Sequence, residues 1–132
     1  MQRNLYITGC YYIPVHLFRT ITSAMNSTTT ALNLLFDRIP RRHNLENVKE
    51  INSILAEYED LLITIEGENG WYEKNTSTFF DDIETVRSLI KKSVDNKASK
   101  KNKDIFFDEA SGALKDSMQS LIELYADGSR RD

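Results

Sequence analysis

The sequence predicts an all-α protein: an antiparallel four-helix bundle preceded by an extended N-terminal arm. Apolar residues recur at helical spacing in four successive stretches. Short polar segments join these stretches, which favours antiparallel neighbours. The chain has 132 residues, 40% apolar and 28% charged. That is enough for one domain with a buried core. The expected organisation is an arm over residues 1–13, a bundle over 14–128 and a polar tail over 129–132.

Residues 5–13 are aromatic and β-branched around Gly9, and read as an extended arm. Pro14 suits the first position of a helix, where its missing N–H costs nothing. The first stripe runs through Leu17, Ile21, Met25, Leu32, Leu35 and Ile39, with four poor helix formers at 27–30, and Pro40 ends it. Asn44 is the expected N-cap of the second helix. Its stripe is Leu45, Val48, Ile51, Leu55, Tyr58, Leu62 and Ile65, and Gly67 follows it. A turn over Gly67–Gly70 comes next, with the pair Trp71 and Tyr72 beside it. The third helix is expected near Thr78, with Asp81 completing a capping box. Its stripe is Phe79/Phe80, Ile83, Val86, Leu89/Ile90 and Val94. Residues 95–103 read as a solvated loop. Asp104 is the expected cap of the fourth helix, whose stripe begins at Ile105/Phe106 and which Gly128 ends.

The net charge of −3 conceals blocks. Residues 1–43 carry five basic and one acidic side chain, and 44–90 carry three basic and eleven acidic. Residues 91–103 carry six Lys and one Asp. The acidic middle argues against a nucleic-acid coat and leaves two basic patches to explain. One cysteine, Cys10, excludes an internal disulfide. No apolar run is long enough for a membrane span, and no export signal stands out, so the expected setting is intracellular and cytoplasmic.

Few patterns carry chemistry. Arg38, four residues and then His43 resembles the minimal signature of the HEPN ribonucleases, an all-helical family of metal-independent enzymes. The resemblance implies a composite RNA site between two protomers, with His43 as acid or base and Arg38 stabilising phosphate charge. The sequence departs from that family in having Ile39 directly after the arginine. It also places the motif, with Pro40 inside it, at the first interhelix turn. The plainer reading is a basic loop whose Arg38 meets the last carbonyls of the first helix. Neither His16 nor His43 follows a Glu at the spacing of a di-iron site. Glu57, Glu59 and Asp60, with Asp81, Asp82 and Glu84, read as a solvated acidic face rather than a metal site. No phosphate loop or cofactor motif is present, so no cofactor and no metal are expected.

The expected function is a non-catalytic protein–protein interaction module. It would be a small accessory subunit of a larger complex, or an acidic inhibitor or immunity-type protein. Tyr11, Tyr12, Trp71 and Tyr72 are the expected anchors, and Glu57 and Asp60 would face a basic partner. A second copy of the chain is a further candidate partner. The alternatives are the ribonuclease and a nucleic-acid-binding accessory protein using Lys97, Lys100, Lys101 and Lys103.

Overall fold

The computed structural model describes residues 27–131, with side chains to Asp127. Five helices and no strand occur among them. They are α1 (Ser27–Arg38), α2 (Leu45–Glu66), α3 (Gly70–Asn75), α4 (Ser77–Ser93) and α5 (Lys100–Arg131). The all-α class is as expected. The arm with Tyr11 and Tyr12, Cys10 and the first predicted helical turns lie outside the described residues. Contacts divide the chain after Thr30; the packing below is that of the unit beginning at Ala31.

Helix α2 begins as its sequence dictates. The Asn44 side chain accepts the Asn47 N–H at 2.7 Å, satisfying one of the amides a helix start leaves open. At its other end the Gly67 N–H donates to the Ile63 carbonyl and the Glu68 N–H to the Ile65 carbonyl, with Gly67 in a right-handed conformation open to any residue. The expected turn at 67–70 leads directly into a short helix that carries the Trp71–Tyr72 pair. Asn69 accepts the Tyr72 N–H at 2.9 Å and starts α3. The expected Thr78 box does not form, because α4 starts earlier, at Ser77. Helix α5 also starts early. Ser99 Oγ accepts the Asn102 N–H at 3.1 Å and supplies the cap expected of Asp104. Lys100, Lys101 and Lys103 are therefore helical, and only Lys97 keeps its expected place in the connection. The same helix continues past Gly128 to Arg131.

Side-chain pairs fix the directions of the helices. From the start of α2 to α3, His43 meets Asp104, Tyr58 meets Ser117, and Tyr72 meets Tyr125. Both sets of numbers rise together, so α2 and α5 run parallel. Helix α4 begins beside α3 and ends six residues before α5, so it runs antiparallel to both. In α1, Ala31 shares a groove with Thr64 while Arg38 reaches back to Glu50, so α1 and α2 are antiparallel. The α1–α2 loop and the α4–α5 connection therefore lie at one end of the unit.

The core is drawn from every helix: Leu32, Leu35, Ile54, Tyr58, Leu62, Tyr72, Ile83, Val86, Leu114 and Met118 are all buried. The expected stripe of α5 is one step out of phase at its start. Phe107 is fully buried, whereas Ile105 is 44% exposed. Two core hydroxyls find partners. Tyr58 Oη lies 2.8 Å from Ser117 Oγ, and Tyr72 Oη donates to the Tyr125 carbonyl at 2.8 Å. Burial pushes the Tyr58 phenol well above its ordinary range. The Thr76 hydroxyl is buried without a hydrogen-bond partner among the described residues.

Two stability changes are expected in urea unfolding of the full chain. Tyr58→Phe strands Ser117 Oγ and should cost about 1–2 kcal/mol, part of which a second change, Ser117→Ala, restores. Thr76→Val keeps the shape and removes the orphaned hydroxyl, so it should raise stability by about 1 kcal/mol. A loss of stability in Thr76→Val would show that this hydroxyl is hydrogen-bonded in solution.

Candidate functional site

Helices α1 and α2 enclose an open groove of about 600 Å³. Its apolar wall is Ala31, Leu34, Leu35 and Leu61, and its rim carries Asp37, Arg38, Glu57 and Asp60. Helical spacing explains the wall. Leu35 faces the core, and Leu34, one residue away, is rotated out of it and is 60% exposed. On α2, Asp60 and Thr64 are one turn apart, and the Thr64 hydroxyl donates to the Asp60 carbonyl at 3.1 Å.

Arg38 is held on this rim. Its Nε and Nη2 donate to Glu50 at 3.2 and 3.4 Å, and Nη1 donates to Glu57 at 3.0 Å. These bonds, Glu50 first, raise its pKa above the ordinary arginine value. Arg38 thus pairs across to α2 and not with the carbonyls of its own helix. Asp37 and Asp60 form no ion pair among the described residues.

His43 sits in a different setting. Its Nδ1 lies 3.2 Å from Asp104 Oδ1, and its ring tilts over Phe107 at 5.4 Å. It lines a cavity of about 400 Å³ with Arg41, Arg42, Lys100, Asp104 and Asp108. Within one chain, then, the two ends of the Arg38–His43 motif face separate cavities.

The acidic face is interrupted rather than continuous. Arg87 on α4 donates to Glu59 at 2.8 Å and to Glu84 at 3.0 Å. Among the described residues no group of three or more His, Cys, Asp or Glu side chains is placed to hold a metal ion. No described helix is long and apolar enough to cross a membrane.

Of the expected aromatic anchors, Tyr72 must be corrected. It is fully buried and stacks on Tyr125 at 5.2 Å. As a helical residue on the inward side of α3, it ties that helix to α5 and presents no surface to a partner. Trp71 is half-buried, edge-on to Tyr72 at 5.6 Å. The groove wall at Leu34 is marked in the sequence by the apolar width of the first stripe, which Leu34 and Phe36 carry beyond what one packing partner needs.

The sequence places two basic patches far apart, and the fold brings them to one end. Lys100 Nζ lies 3.1 Å from Asp104 Oδ2, and Lys92 lies over the Phe106 ring at 5.7 Å. No protein-family model, curated protein or solved structure matches this chain.

Asp104 receives Lys100 on one oxygen and His43 on the other. The hydrogen bond from Lys100, and then that from His43, hold its carboxyl below the ordinary aspartate value. Such a group contributes stability above its unfolded-chain pKa and loses it as pH falls through the lower folded value. Carbon-detected NMR titration should therefore show Asp104 ionising below an ordinary aspartate, and Lys100→Met should move that midpoint upward.

Proposed function

We propose that this chain is an intracellular, non-catalytic binding module that docks a basic amphipathic helix of another protein in the α1–α2 groove. The four long helices serve as the bundle scaffold that holds the groove open. One observation carries the reading. Leu34 is 60% exposed in the wall of an open groove whose rim holds the uncompensated carboxylates of Asp37 and Asp60. Among the described residues, Leu34 takes no part in the core. A helix presenting leucines one turn apart and lysines at its edges matches that wall and that rim. Glu57 contributes less to the attraction, because Arg38 already neutralises it.

The probe is a designed helical peptide with Leu on one face and Lys on its flanks, compared with a twin carrying Glu on its flanks. In NMR titration of the full chain, the Lys peptide should shift the signals of Leu34, Leu61 and Thr64, and the Glu twin should not. Asp37→Asn with Asp60→Asn should weaken the Lys peptide roughly fivefold, at about 0.5 kcal/mol per exposed charge. Leu34→Gln should weaken it further. Equal binding of the two peptides, or shifts confined to other faces, rejects the groove as the docking site.

A further inference from the structure

We infer that the end formed by the α1–α2 loop and the start of α5 binds the phosphate backbone of a nucleic-acid duplex without reading its sequence. This surface is separate from the α1–α2 groove and does not depend on the reading of that groove.

The loop is held rigid by its backbone. The Ile39 N–H donates to the Phe36 carbonyl at 3.3 Å. Ser111 Oγ donates to the Pro40 carbonyl at 2.7 Å. Asn47 Nδ2 donates to the Arg42 carbonyl at 2.7 Å. The loop is thus pinned to α5 at one carbonyl and to α2 at another. Between these pins stand Arg41 and Arg42, both exposed, whose guanidinium groups make no hydrogen bond or ion pair among the described residues. This contrasts with Arg38 and Arg87, whose guanidiniums are each held by two carboxylates. A fixed loop with free guanidiniums already meets the ordering cost of a phosphate clamp, and the planar fork suits two oxygens of one phosphate.

Lys100 lines the same cavity as Arg41 and Arg42. Lys101, exposed, follows it in the first turn of α5, and Lys97 stands in the connection just before. These cations come from two elements that are some sixty residues apart in sequence, and α2 and α5 bring them together by running parallel. The opposing charges in this cavity are Asp104, already engaged by His43 and Lys100, and Asp108, and Glu109 lies beside Lys100 and Lys101 on the next face of α5. Among the described residues of this end, no Phe, Tyr or Trp ring is offered for base stacking. Phe107 is buried beneath His43, and Phe106 is half-buried beneath Lys92. Stacking platforms are what single-strand binders use, so the chemistry here fits the regularly spaced phosphates of a duplex.

Fluorescence anisotropy with the full chain and a labelled 20-base-pair duplex of arbitrary sequence tests this. Binding should weaken as salt rises from 50 to 200 mM, by roughly 100-fold if about four phosphates are contacted. Arg41→Gln with Arg42→Gln should weaken binding about tenfold and reduce the salt slope by about two. Lys100→Gln with Lys101→Gln should act similarly. Lys74→Glu, an equal change of charge on α3, should change affinity less than twofold. The proposal is overturned if no duplex binds at 50 mM salt, or if Lys74→Glu is as damaging as the arginine pair. It is also overturned if single strands bind more tightly than the duplex, or if vesicles of anionic phospholipid bind through these residues while the duplex does not.

Discussion

Two hydroxyls inside the apolar core, those of Tyr58 and Tyr72, each find a partner on the same helix. Tyr58 meets Ser117 and Tyr72 meets the Tyr125 carbonyl. An unpaired buried hydroxyl is costly, by roughly 1–3 kcal/mol. Sliding α2 and α3 together by one turn against α5 would break both bonds at once, so the pair selects a single register. Everything at the basic end follows from that register. With Tyr58 opposite Ser117, the start of α2 falls opposite the start of α5, and His43 arrives at Asp104. The loop carrying Arg41 and Arg42 then stands beside Lys100.

The charges of the unit fall into two groups. Arg38 and Arg87 are tied to carboxylates of neighbouring helices and act as exposed links, each pair contributing little to stability. Asp37, Asp60, Arg41 and Arg42 have no such links among the described residues. The free acids lie beside an exposed leucine, and the free bases lie on a pinned loop. Free acids and free bases thus occupy two separate places in the unit.

The legible part of the fold was the part set by local physics. Asn44 caps α2 as its chemistry requires, and the buried positions Ile51, Leu55, Tyr58, Leu62, Ile83, Val86 and Ile90 follow the predicted stripes. The failures share one cause, competition between neighbouring signals. Ser99 caps α5 ahead of Asp104, and Asn69 starts a short helix within what looked like a turn. On α5 the run of Ile105, Phe106 and Phe107 leaves the phase of the stripe undecided by period alone. Only packing places Phe107 inward.

The sites were less legible than the fold. Tyr72 and Trp71 carry the same interface signal in sequence, yet one is buried and the other half-buried. Arg38 and Arg41 look alike within one basic stretch, yet one is engaged by two carboxylates and the other is free. The sequence by itself determined the all-α class, the positions of α2, α4 and α5 to within a few residues and the blocks of charge, because these depend on periodicity, capping and composition along the chain. Tertiary structure alone decided which charges are matched, which aromatic side chains are covered, and that two distant basic segments share one end. Those outcomes depend on distances between helices, which follow from their register rather than from the local sequence.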